Sequence, residues 1–278
     1  MDMKLYKYQG AGNDFLIADN RDGSISLTQE QIASICDRRY GVGADGLMLL
    51  ENEDGYDFRM TYFNSDGSGG MMCGNGGRCI VAFASDMGIE IFSFIAADGP
   101  HNAEILAVDG DVKTVRLQMK DVFEYIPYAE LTGVDVPSDG CFLDTGTRHY
   151  VRIVKGVDYH DVINEGRDIR YNAAELQPQG ANVNFIEPVG NILKVRTYEK
   201  GVEDETFACG TGIVASCIAA YKAGIEPSYI SGDAVGYDVE AKRDRLNVTF
   251  RPSSVAIAED VYLTGPATFV AEIYINNL

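Results

Sequence analysis

The chain has 278 residues, 46% of them hydrophobic, and a formal net charge of −19 at pH 7. That apolar content suffices to build cores, and at about 100 to 200 residues per domain the length allows two modest units. So acidic a chain repels phosphate backbones and anionic lipid, which argues against nucleic-acid and membrane-surface roles, and it holds no run of about 18 apolar residues that could cross a bilayer.

The opening Met-Asp-Met-Lys-Leu-Tyr-Lys-Tyr has no apolar signal core, so a cytoplasmic location is expected. Residues 28–39 read as an outer amphipathic helix, begun by a capping box of Thr28 and Gln31 and stopped by Gly41. Strands are expected over 56–63, where Phe58-Arg59-Met60-Thr61-Tyr62 alternates with period two, then over 89–95 and 112–119. Between the first two lies Cys73, followed by Ile80-Val81-Ala82-Phe83-Ala84, a helical stretch with no polar stripe that must be enclosed, capped by Gly88. The crossing near 119–137 is mildly loop-like. Strands follow over 192–198, 237–242 and 246–250, and Cys209 precedes a second all-apolar helix, 213–220, capped by Gly224.

Cys73-Gly-Asn-Gly and Cys209-Gly-Thr-Gly stand 136 positions apart, and the same offset brings Thr61 onto Thr197, Tyr62 onto Tyr198, Gly10 onto Gly146 and Gly88 onto Gly224. A period this long indicates domain duplication, solenoid repeats running to about 50 residues at most. Each half is then a curved sheet around one buried helix.

Six cysteines show no close-spaced disulfide or zinc pattern, and three scattered histidines offer no metal set. Cys36, Cys79, Cys141 and Cys217 sit in apolar neighbourhoods and read as core packers. Cys73 and Cys209 differ. A cysteine before a helix lies where unpaired N–H groups and the macrodipole favour negative charge, lowering a thiol pKa from about 8.5. The N–H groups of Gly74, Asn75, Gly210 and Thr211 are suited to hold a carboxylate. One thiolate then removes the α-proton and the opposite thiol returns one to the other face, inverting the centre without pyridoxal phosphate. This demands both sulfurs at a single stereocentre.

Gly10-Ala-Gly-Asn-Asp-Phe15, Tyr62-Phe-Asn-Ser-Asp-Gly67, Cys73-Gly-Asn-Gly76, Asn182-Val-Asn-Phe185, Tyr198-Glu-Lys-Gly201 and Ala208-Cys-Gly-Thr-Gly212 resemble the diaminopimelate epimerase family, in order and over almost the whole chain. The resemblance implies an α+β fold of two pseudo-symmetric domains, each a curved, mainly antiparallel sheet or barrel around a central buried helix. The expected halves are 1–119 and 120–264, with a last strand, 265–278, returning to the first. It implies a cofactor-independent isomerase interconverting LL- and meso-2,6-diaminopimelate in lysine and peptidoglycan-precursor synthesis, and commonly a homodimer. By motif, Cys73 and Cys209 are the acid–base pair, and Gly74, Asn75, Gly210 and Thr211 hold the reacting carboxylate. His149 and Glu199 match residues that support the thiols and the reacting amino group. Asn13, Asn64 and Asn182 match substrate-gripping positions.

Three departures from the family pattern bear on substrate. Lys200 replaces the usual arginine after Glu199, keeping charge and losing a bidentate fork. Gly146-Thr147-Arg148-His149 replaces Gly-Asn-Pro-His, bringing in a guanidinium that the reading assigns to the distal carboxylate. Gly46 stands where some members place glutamine. The runner-up is a racemase of another amino acid, of histidine or hydroxyproline type. A catalytically silent anion binder is the reading from a different class. Without the family, Asn64 and Asn182 read as turn or strand-edge amides and His149 as a packed polar residue.

Overall fold

The computed structural model describes residues 3–127, 140–173 and 176–276. It divides into two compact units, Met1–Gln118 with Thr264–Leu278, and Met119–Leu263.

In the first unit β1 (Met3–Gly10), β2 (Asn13–Asp19), α1 (Gln29–Cys36), β3 (Gly46–Glu51), β4 (Phe58–Asn64), α2 (Gly74–Asp86), β5 (Phe92–Ala96), β6 (Gly99–Asp109) and β7 (Val112–Gln118) follow in order. The last strand of the chain, Ala258–Ile275, sends its C-terminal part back here, pairing antiparallel with β1 (Met3 opposite Ile275) and with β7 (Gly265 opposite Val115). Pairing therefore runs round a closed ring, antiparallel except at β2–β3 and β4–β5. Closure leaves no free sheet edge in that ring.

α2 packs against β1, β2, β3, β6 and β7. Residues 74–84 of α2 are all buried, as a helix without a polar face requires. Each large apolar side chain so enclosed contributes about 1.5–3 kcal/mol. Gly77 is part of the fit, since a Cβ there would stand 2.7 Å from Leu117 Cδ2. Tyr8 Oη and Lys113 Nζ both donate to Asp86 at 2.6 Å and pin the helix end. Gly88 turns the chain out at φ +84°.

The second unit follows the same plan with one more strand before each helix: β8 (Glu124–Pro127), β9 (Gly140–Asp144), β10 (Arg148–Ile153), α3 (Val162–Asn172), β11 (Asn182–Val189), β12 (Ile192–Glu199), β13 (Asp204–Thr206), α4 (Gly210–Lys222), β14 (Tyr229–Ser231), β15 (Ala234–Glu240) and β16 (Arg245–Pro252). The strand Ala258–Ile275 is β17. β10 pairs parallel with β11 as β2 does with β3, and β11 antiparallel with β12 as β3 does with β4. α4 lies against β9, β10, β11, β12 and β16. Both central helices have 13 residues, and their first glycines, Gly74 and Gly210, keep the 136-residue offset. The fold is α+β, with a curved, mainly antiparallel sheet around a buried helix made twice.

α1 has the Thr28–Gln31 capping box in both directions but ends at Cys36, short of the expected 39. The Asp37 carboxylate draws the N–H groups of Arg39 and Tyr40 at 2.7 Å, and that local turn outcompetes another helical turn. The loop-like crossing expected over 119–137 contains strand β8, and its part from 128 onward lies outside the described residues. The parallel partners β2 and β3 and helix α3 lie outside the elements expected from the sequence.

Candidate active site

Cys73 caps α2 in extended conformation, and its sulfur accepts the Gly76 N–H at 3.3 Å. Gly76 has no side chain to displace that sulfur; a Cβ there would sit 3.3 Å from it. Asn75, the second residue of α2, is buried and donates through Nδ2 to Asn13 Oδ1 at 2.7 Å, while Asn13 donates to Asp45 at 2.8 Å. Asn75 Oδ1 accepts from Arg78 at 2.9 Å, and the fully buried guanidinium also donates to the carbonyls of Gly74 (3.1 Å) and Pro266 (3.3 Å). The helix start is thus tied to β2 and β17. Asn64 stands apart from this set, holding the turn after β4 by donating to Ser68 Oγ at 3.0 Å.

Cys209 is the N-cap of α4, also extended and buried, but its side chain caps no helix N–H; its sulfur lies 3.5 Å from Thr211 Oγ1. His149 stands 136 residues after Asn13, as Thr211 does after Asn75, and the same two positions meet again: His149 Nε2 is 3.0 Å from Thr211 Oγ1. The Thr147 hydroxyl lies 2.9 Å from both. Thr145 donates to the Thr211 carbonyl at 3.1 Å, so the loop before β10 clasps the helix start. Complete burial disfavours the imidazolium and pushes the His149 pKa down to about 3.

Asn182 joins the other motif residues. Its side chain donates to the Arg148 carbonyl (3.1 Å) and accepts the Lys200 N–H (2.9 Å). Glu199, at the end of β12, accepts the Thr206 hydroxyl at 2.7 Å. Lys200 is exposed. Adjacent strand residues point to opposite faces, and Arg148 accordingly turns away from the His149 side, over the Phe142 ring at 5.0 Å and onto Gln179 Oε1 at 2.6 Å.

The other four cysteines are buried packers, and burial raises their thiols, Cys36 to about 11, Cys141 to about 12 and Cys79 and Cys217 well above the ordinary value. Among the described residues no three His, Cys, Asp or Glu side chains gather as a metal site, and no helix is long and apolar enough to cross a membrane.

Asp45, Arg78, Thr145 and Asn184, to which the motifs assign no role, also belong to these networks. Arg78 carries a signal, as the only cation in α2. So does Asn184, which shares a face with Asn182 by the period-two rule.

The fold is α+β and of duplicated build, with a cysteine at the start of each central helix. In fold the chain is similar to the crystal structure of a PhzF-family phenazine biosynthesis protein from Bacillus anthracis, with a TM-score of 0.74 over 100% of both chains at 16% identity. The family described as "Diaminopimelate epimerase" matches residues 5–120 and 141–270. Proteins named diaminopimelate epimerase are 42% identical in Flavobacterium psychrophilum (97% of this chain, 99% of the relative) and 41% in Chlorobaculum tepidum (94% and 96%). The chain belongs to the diaminopimelate epimerase family.

Proposed function

We propose that the enzyme epimerises LL-2,6-diaminopimelate to the meso form, without a cofactor, in lysine and peptidoglycan-precursor synthesis. The observation that carries this is the repeated helix start, a cysteine as N-cap at the head of α2 and again of α4, in a chain 42% identical to a named diaminopimelate epimerase. The same identity favours diaminopimelate over the histidine- or hydroxyproline-type substrates.

In this mechanism one cysteine, as thiolate, takes the α-proton. The electron pair left behind passes into the carboxylate as an enediolate, stabilised by the N–H groups of Gly74, Asn75, Gly210 and Thr211. The other thiol then donates its proton to the opposite face, and the pair exchanges protonation states. His149 and Glu199 support the thiols and the reacting amino group. Asn13, Asn64 and Asn182 hold the non-reacting amino-acid end, and Lys200 and Arg148 supply cations for the distal carboxylate, Arg148 on release from Gln179. The working form is a cytoplasmic homodimer, which sedimentation of the purified protein tests.

The decisive experiment follows deuterium from heavy water into the α-carbon of diaminopimelate, with a panel of free amino acids alongside. Wash-in is expected for diaminopimelate in the wild type, with epimerisation abolished in Cys73→Ala and Cys209→Ala. Near-normal turnover in either variant excludes the two-base scheme, and no wash-in anywhere returns the chain to an anion binder.

A further inference from the structure

Asn184, on β11, reaches both the backbone of β10 and the His149 ring. Its Nδ2 lies 3.2 Å from the Tyr150 carbonyl and 3.0 Å from His149 Nδ1, while its Oδ1 accepts the Thr197 hydroxyl at 2.9 Å. A carbonyl only accepts, so the NH2 group must face Tyr150, and its second hydrogen then points at Nδ1. Nδ1 is therefore the acceptor, and the single proton of the neutral ring sits on Nε2.

That assignment propagates. Nε2–H donates to the hydroxyls of Thr147 and Thr211, at 2.9 and 3.0 Å. Thr147 in turn donates to Thr211 at 2.9 Å. With both lone pairs of its hydroxyl occupied, Thr211 has one hydrogen to give, and the Cys209 sulfur at 3.5 Å receives it.

We propose that Asn184 is a positioning residue which locks His149 as the Nε2–H tautomer, so that a one-way hydrogen-bond chain through Thr147 and Thr211 delivers a hydroxyl donor to Cys209 and readies its sulfur to accept a proton. Burial keeps the ring neutral, so the chain keeps its direction across the working pH range. Gly212 makes room for it: a Cβ there would stand 2.4 Å from Asn184 Oδ1. In the first unit Asn13 and Asn75 occupy the places of His149 and Thr211, and the Cys73 sulfur accepts the Gly76 backbone N–H. The inference rests on the proposed function for the role of Cys209 as a base; the direction of the chain stands without it.

Two measurements on the substrate-free enzyme test the proposal. Long-range 1H–15N spectra of histidine-labelled protein, with His149 assigned by its loss in His149→Gln, are expected to show protonated Nε2 and bare Nδ1 in the wild type and a mixture of tautomers in Asn184→Leu. Wild-type protein with Nδ1 protonated overturns the proposal whether or not that variant folds. Alkylation of Cys209 by iodoacetamide at neutral pH, located by mass spectrometry, is expected to slow about tenfold in Thr211→Val and recover in Thr211→Ser, the effect of one hydrogen bond to a charged sulfur. Equal rates in all three proteins overturn the delivery step. Both readouts need no turnover, so their failure is distinct from failure of deuterium wash-in, which reports the function itself.

Discussion

Acidifying the protein should cost stability through His149. The ring is fully buried and its pKa is pushed down to about 3, whereas in the unfolded chain it returns to its ordinary 6.5. A depressed folded-state pKa means that below pH 6.5 the unfolded state binds a proton the native state refuses. Stability from this group is complete above pH 6.5 and drains away as pH falls toward 3, at about 1.4 kcal/mol per unit. The span from pH 7 to pH 5 contains about 1.5 units of that slope, or about 2 kcal/mol, and lies above the ordinary carboxylate range near 4, so acids add little. Urea unfolding of wild type and His149→Gln at both pH values isolates the effect, because His101 and His160 are common to the two proteins. The chain has no tryptophan, so far-ultraviolet circular dichroism is the suitable probe. Wild type is expected to lose about 2 kcal/mol more than the variant between pH 7 and pH 5. Parallel losses would falsify the reasoning, for they would mean that the ring protonates freely in the folded protein and is not dry.

Gly212→Ala is expected to lower stability by about 1–2 kcal/mol in thermal unfolding although alanine favours helix, because the new methyl displaces the Asn184 amide from a packed interior; a rise in Tm would contradict that packing. Arg148→Ala should raise KM for diaminopimelate several-fold with kcat little changed, the mark of lost uniform binding, and an unchanged KM removes Arg148 from substrate recognition. Mild oxidation should inactivate the enzyme through a Cys73–Cys209 disulfide, since the mechanism needs both sulfurs at one carbon. Mass spectrometry of inactive protein with both thiols free would count against it.

Local chemistry fixes what the chain itself reveals. A helix with no polar face has to be enclosed, so Ile80 to Ala84 and the run after Ile213 announced the centres of both units. A duplicated gene keeps its register, so one offset found the second cysteine. The capping box at Thr28 is likewise a matter of four adjacent residues. Tertiary structure decided the rest. Asn184 and His149 are 35 positions apart and meet because β10 and β11 pair in parallel, a register that no local periodicity encodes. Arg148 is expected from its motif position to meet the distal carboxylate, and alternation along the strand, which no single residue encodes, rests it on Phe142 and Gln179, from which it must be released to do so. Sequence determined which residues are candidates for the chemistry; only long-range pairing set the direction of their hydrogen bonds, because a donor's orientation depends on every acceptor around it.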